Sequence, residues 1–265
     1  MKAIVCMKEV PETPDGVRAT EEGYWTVRGE AAYVVDPIGP YALETALQIR
    51  EKAGGEVIAL SAGRPEAAKM LKESALAVGA NDAILIADDA LAGGDPLATA
   101  RALAAAIRKA DGADLIVCGD RAADDNAATV GASLASLLGV PVLSYVDEIL
   151  EVDAEGKRIR VGRALESGRE IVEASLPAVL TVMKGIYFPR YASPLGIRKA
   201  ARREVPGLSA ADLGEEPSRL GAAGSSTFLL GIDPPPPPSG VEMIPGEPEE
   251  AVAVLVRKLL DAKAL

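Results

Sequence analysis

Residues 119–131 hold the most concentrated potential ligand contacts of the chain: Gly119, Asp120, Arg121, Ala122, Ala123, Asp124, Asp125, Asn126, Ala127, Ala128, Thr129, Val130 and Gly131. This composition predicts a loop that opens into a helix near Ala127 or Ala128. The first N–H groups of such a helix, and the positive end of its dipole, favour a phosphate. Thr129 adds a hydroxyl donor. Asp124, Asp125 and Asn126 are helix-capping types, but a cap uses one residue, not three in a row. Nucleotide binding is therefore the leading reading of the loop, with simple capping the alternative. There is no histidine in the chain, which removes the commonest general base and the commonest transition-metal ligand. Asp, Glu, Lys and Cys remain as possible catalytic groups, yet no cysteine pair of metal-binding spacing, Walker loop or G-x-G-x-x-G motif occurs.

Short runs rich in Val, Ile and Leu recur at residues 3–7, 56–61, 83–87 and 114–118, each followed by a stretch of helical character. Residues 40–52, 65–78 and 97–110 carry apolar side chains at three- and four-residue spacing. This alternation predicts an α/β fold: an open, mainly parallel, twisted Rossmann-like sheet with helices on both faces and right-handed crossovers. Ligands of such sheets lie beyond the carboxyl ends of the strands, where the strand order reverses. Four loops qualify: Cys6-Met7-Lys8-Glu9, Asp36-Pro37-Ile38-Gly39, Ser61-Ala62-Gly63, and residues 119–131.

A hairpin is expected at about residues 17–34, with Tyr24 and Trp25 as its packing side chains. Residues 142–152, 157–164 and 170–175 read as antiparallel strands that extend the sheet, and residues 178–183 as a further strand. From 207 to 240 the chain is rich in Gly, Pro and Ser and reads as loosely built, with a stiff rod of five prolines at 234–238. A closing helix at 248–263 carries Val252, Leu255, Val256 and Leu259 as one apolar stripe, which calls for a docking surface.

The 265 residues, 49% hydrophobic, suffice for a large core. Their balance of 28 basic and 39 acidic groups, net −11, disfavours nucleic acid and anionic membranes as partners. Cys6 and Cys118 lie in apolar, strand-like runs, the usual place of reduced buried thiols, which fits a cytoplasmic location. The apolar start of the chain is too short for a signal peptide or a membrane span, so no direct membrane insertion is expected.

The pattern Gly119-x-x-Ala122-x-Asp124-Asp125, with Gly131 opening a helix, resembles the adenine-nucleotide loop of the beta subunit of electron transfer flavoproteins. Lys8-Glu9-Val10-Pro11, Asp36-Pro37 ahead of Glu44-Thr45-Ala46-Leu47, and Ala77-Val78-Gly79-Ala80 are similar to that family in the same order. So are Val161 to Val172 followed by Leu176-Pro177-Ala178, and Pro189-Arg190-Tyr191-Ala192. The similarity covers roughly residues 1–203. It implies one subunit of an αβ heterodimer that shuttles electrons from flavin dehydrogenases, such as acyl-CoA dehydrogenases, to a quinone-linked oxidoreductase. FAD would be shared with the alpha subunit, and the redox chemistry would be the flavin's, which suits a chain without histidine. AMP would be held, by position, through Cys6, Asp36, Pro37, Ile38, Gly39, Ala62 and Gly119 to Val130.

Two segments depart from the family pattern. Common members have Asn-Gln-Thr where this chain has Ala128-Thr129-Val130, so two polar phosphate contacts are missing. Electron-bifurcating relatives, with a second FAD in place of AMP and an NADH site, share Ala and Val at positions 128 and 130. The stretch from Arg190 to Lys199 resembles the family's partner-recognition loop, with Arg190, Tyr191, Pro194, Leu195 and Lys199 as candidate contacts. Leu195 or Pro194 would be the apolar anchor, unless Leu195 belongs to the core. Together these readings divide the chain into a nucleotide-binding domain at 1–183, a recognition segment and arm at 184–240, and a docking helix at 241–265. Two readings of another class compete: a stand-alone nucleotide-binding module of the universal-stress type, and half of an ATP-cleaving ligase. The ligase would carry a Gly/Ser phosphate loop after the first strand, where this chain has Lys8-Glu9-Val10-Pro11.

Overall fold

The computed structural model describes residues 1–13, 17–23, 25–27 (backbone only), 32–233, 236 and 240–265. Tyr24, the side chain of Trp25 and four of the five prolines at 234–238 therefore lie outside the described residues. The chain forms two compact units, Met1–Ile232 and Asp233–Leu265. In chain order the first contains β1 (Lys2–Cys6), β2 (Glu9–Pro11), β3 (Val17–Ala19), β4 (Trp25–Val27), β5 (Tyr33–Val35), α1 (Gly39–Ala53) and β6 (Glu56–Ala62). Next come α2 (Ala67–Leu71), continued by a wide π-type turn at Lys72–Leu76, then β7 (Asp82–Ile86), α3 (Pro96–Lys109), β8 (Leu115–Gly119) and α4 (Val130–Leu138). It ends with β9 (Val142–Asp153), β10 (Arg158–Leu165), β11 (Gly168–Ser175), β12 (Ala178–Val182), α5 (Pro194–Ala201) and β13 (Gly207–Leu208). The second unit holds α6 (Pro248–Asp261).

One nine-stranded sheet runs in the order β11-β10-β9-β12-β8-β1-β6-β7-β13. From β9 to β13 along that order every neighbouring pair is parallel, while β10 and β11 add an antiparallel extension. The expected hairpin is β3 paired with β4, separate from a β2–β5 ribbon that carries the chain from β1 to α1. Side chains alternate between two apolar layers, as strands buried on both faces require. Ala3, Val5, Val57, Ala59, Leu115 and Val117 pack with Leu43, Leu47 and Leu71 on the α1 and α2 side. Ile4, Ile58, Leu60 and Ile116 pack with Leu103, Ile107 and Leu134 of α3 and α4 on the other. Each fully buried Leu or Ile contributes roughly 1.5–3 kcal/mol.

The segment read as loose after residue 206 first returns to the sheet. β13 pairs with β7 through Gly207 and Leu208, and Ala210, Leu213 and Leu220 are buried in the α3 layer. Asp95 explains the attachment. Its carboxylate caps α3 by accepting from the Ala98 N–H at 2.9 Å and also accepts from the N–H of Ser226 at 2.7 Å and Thr227 at 3.1 Å. Burial pushes this carboxyl up, but those hydrogen bonds outweigh it and hold it below the usual aspartate range. Among the described residues no helix is long and apolar enough to cross a membrane.

Candidate nucleotide site

The strand order reverses between β1 and β8, so the crevice beyond their carboxyl ends is where a parallel sheet of this kind takes a ligand. Three of the four loops singled out by sequence are tied together there. Asp36, whose residue is only 4% exposed, accepts from the N–H of Ile38 at 2.9 Å and from that of Ala123 at 2.7 Å, so one carboxylate joins the start of α1 to the 119–131 loop. Lys8, just past β1, pairs with Asp124 at 2.7 Å and Asp125 at 3.3 Å. Gly119 lets the two sides close up: a Cβ there would stand 2.8 Å from Ile38 Cγ2. The fourth loop follows β6, the other neighbour of β1 in the sheet, with Ala62 half-buried at the strand end. Pro37 is exposed, Ile38 half-buried and Gly39 buried.

The loop itself is shaped by its own polar side chains. Asp124 accepts from the Asp125 N–H at 2.9 Å, Asp125 from the Ala127 N–H at 3.0 Å, and the Asn126 N–H donates to the Ala122 carbonyl at 3.0 Å. Asn126 and Ala128 adopt left-handed backbone conformations, φ 52° and 54°. For an alanine this costs on the order of 1 kcal/mol. Local side-chain bonds of this kind compete with helix formation, and α4 accordingly starts at Val130, later than expected. Thr129 is its N-cap residue and makes no side-chain cap bond. None of Asp124, Asp125 and Asn126 caps α4, so the capping alternative fails for all three.

The opening turn of α4 is thus left without a side-chain cap, and left-handed Ala128 followed by right-handed Thr129 is the kind of backbone pair that can turn N–H groups toward an anion. Gly131 brings this turn down onto β12, since a Cβ would run into Thr181 Cγ2. The cations of these loops are already engaged by carboxylates. Lys8 is held by two aspartates, and Arg121 Nε donates to Asp120 at 2.9 Å. Asp120 is buried, and its Oδ1 has no partner among the described residues. On the crevice floor, Cys6 and Cys118 stand side by side, and the hydrogen bond with Cys118, then burial, push the Cys6 thiol well above its ordinary range.

The recognition candidates split. Arg190 turns inward: its Nε and Nη2 bind Glu44 at 2.8 Å each, and its Nη1 binds Glu51 at 2.6 Å. Burial pushes the Glu44 carboxyl up, but hydrogen bonds from Arg190 and Gln48 prevail and hold it below the usual glutamate range. Tyr191, Pro194, Leu195 and Lys199 face outward, Leu195 at 54% exposure, so the core alternative for Leu195 is excluded. Ser193 caps α5 through the Gly196 N–H at 3.0 Å, with Pro194 in its first turn. Sequence reasoning gave Glu44 no role in holding Arg190 and passed over the exposed Phe188 and Ile197 of the same surface. Nothing local to Lys8 signals its clasp on Asp124, 116 residues away.

The electron transfer flavoprotein domain, as a family profile, matches residues 25–213. The chain belongs to the electron transfer flavoprotein family. Within it the likeness is to beta subunits and runs end to end. The electron transfer flavoprotein subunit beta of Thermoanaerobacterium thermosaccharolyticum is 39% identical over 260 residues, 98% of each chain. That of Megasphaera elsdenii is 34% identical over 273 residues, the whole of each chain. The caffeyl-CoA reductase-Etf complex subunit CarD of Acetobacterium woodii is 38% identical over 261 residues, 98% of each chain. A beta subunit of an electron transfer flavoprotein implies an alpha-subunit partner.

Proposed function

We propose that this beta subunit binds an adenine nucleotide, AMP, in the crevice between β1 and β8 and helps its alpha subunit hold FAD. Electrons would pass between flavin dehydrogenases, acyl-CoA dehydrogenases among them, and a quinone-linked acceptor, in the cytoplasm. The observation that carries the reading is the uncapped start of α4 behind a loop fastened on both sides by Asp36 and Lys8. A phosphate fits a site made of backbone N–H groups at the start of a helix. FAD, when bound, supplies the electron chemistry; the residues here bind and orient. Leu195 or Pro194 would anchor a dehydrogenase, with Tyr191 beside it and exposed Arg198, Lys199 and Arg202 steering an acidic partner surface. The Glu44–Arg190 pair would set the segment's direction rather than touch the partner.

A second reading has support of its own. Ala128 and Val130 remove two polar contacts that an AMP phosphate would use, and a relative at 38% identity carries the name of a reductase–Etf complex subunit. In that reading a second FAD takes the crevice and NADH is a substrate. Extraction of the αβ complex followed by chromatographic counting decides between them. One FAD and one AMP per complex supports the first reading, two FAD and no AMP the second. A chain that releases no adenine nucleotide overturns both.

A further inference from the structure

β1 and β8 run side by side in a register that sets Ala3 against Leu115, Ile4 against Ile116 and Val5 against Val117. The next residue on each strand is a cysteine, and Cys6 and Cys118 both pack into the α3 and α4 layer. Both are free thiols, Cys6 partly exposed and Cys118 buried. Gly131, in the first turn of α4, packs next to Cys118, whose Cβ is 3.9 Å from where a Gly131 Cβ would stand. Neighbouring strands are about 4.8 Å apart, inside the roughly 4.4–6.8 Å between Cα atoms that a disulfide spans. Side chains facing across parallel strands point the same way rather than at each other, so the bond would be strained and readily reduced.

We propose that Cys6 and Cys118 form a peroxide-responsive thiol pair that closes reversibly into a cross-strand disulfide on the floor of the crevice. Cys6, the less buried residue of the two, is the one that takes the peroxide. Its sulfur attacks one oxygen of hydrogen peroxide, the O–O bond breaks, and the other oxygen leaves as water with the thiol's proton, giving a sulfenic acid. The Cys118 sulfur then attacks the Cys6 sulfur, the S–O bond breaks, and hydroxide leaves with the Cys118 proton as a second water. Two thiols have lost two electrons, and one peroxide has become two waters. A small dithiol reverses the closure by exchange. The hydrogen bond with Cys118 and burial push the Cys6 thiol well above its ordinary range, so its thiolate is scarce and the closed crevice reacts slowly. A nucleotide over Cys6 would slow it further, a point that rests on the function proposed above.

The test exposes the full chain, co-purified with its alpha subunit, to hydrogen peroxide, blocks remaining thiols and digests with trypsin. The expected product is a peptide joining residues 3–8 to residues 110–121, lighter than the two by two hydrogens and separated again by dithiothreitol. Cys6→Ser and Cys118→Ser, each still able to hydrogen-bond, should both abolish it. The pair is overturned if both thiols stay open to alkylation under peroxide that consumes a small free thiol. It is equally overturned if Cys6 proceeds to sulfinic acid while Cys118 stays free. Saturating AMP should slow the linkage several-fold. An unchanged rate in a sample that equilibrium dialysis shows to bind AMP overturns the coupling. Linkage in a sample that binds no AMP upholds the thiol pair and removes the nucleotide reading instead.

Discussion

Gly131 sits where Thr181 leaves no room for a Cβ, and Thr181 is not free to turn aside because its hydroxyl accepts from the Tyr145 N–H at 3.1 Å. Gly131→Ala should therefore lift the first turn of α4 off β12. The expected cost is about 1–3 kcal/mol in urea unfolding, with loss of bound nucleotide. Thr181→Ser removes the clashing methyl and keeps the hydroxyl, so the double variant should recover most of the stability; if it recovers none, the contact is not the cause. Lys8 poses a different residue-scale question, because the Asp124 side chain that it pairs with is only 8% exposed. Lys8→Met should leave that carboxylate poorly compensated, at about 1–2 kcal/mol, and raise the AMP dissociation constant measured by calorimetry. An unchanged constant would show that the clasp does not shape the nucleotide loop. The residue types of this loop were legible in the chain, and their tasks were not. Asp124 and Asp125 are capping types that instead bend the loop, and the lysine that fastens them is 116 residues away from Asp124, beyond any local pattern.

At the scale of elements, α1 and the segment before α5 are joined by one guanidinium. Arg190 bridges Glu44 and Glu51, two positions on the same helix, and its backbone N–H adds a bond to Glu44 at 3.2 Å. Glu44 has its folded pKa below the unfolded value. Its contribution is therefore complete above the ordinary glutamate range and is lost as pH falls through the lower, folded value. Urea midpoints taken between about pH 5 and pH 3 should fall less steeply for Glu44→Gln than for the parent chain. At neutral pH the same variant should cost about 2 kcal/mol and expose residues 186–197 to hydrogen exchange. Equal slopes would remove Glu44 from the acid response. The parallel strands were readable because burial on both faces leaves continuous Val, Ile and Leu runs, and β1, β6, β7 and β8 fall close to their expected places. The Glu44–Arg190 bond was not readable, since 146 residues separate its partners and either could equally be a solvated surface charge. β13 was hidden for another reason: a two-residue strand in a Gly- and Pro-rich stretch has no period to detect.

At the scale of the whole molecule, the sheet and its two apolar layers lie in the first unit, Met1–Ile232, while the second unit offers little core of its own. α6 has no buried residue, and Val252, Leu255, Val256 and Leu260 are exposed on it. Within that unit an ion pair from Lys258 to Glu242 at 2.6 Å fastens the helix to the chain leading into it. Such an apolar stripe would suit a protein interface, and the expected partner is the alpha subunit that family membership implies. Leu255→Asp tests this at one position. Because Leu255 is 46% exposed, the isolated chain should unfold within about 0.5 kcal/mol of the parent. The αβ complex should weaken by an order of magnitude or more, about 1.4 kcal/mol, in a titration of the labelled alpha subunit. A large loss of stability in the isolated chain with undiminished association would assign the stripe to this chain itself and leave the alpha subunit bound elsewhere.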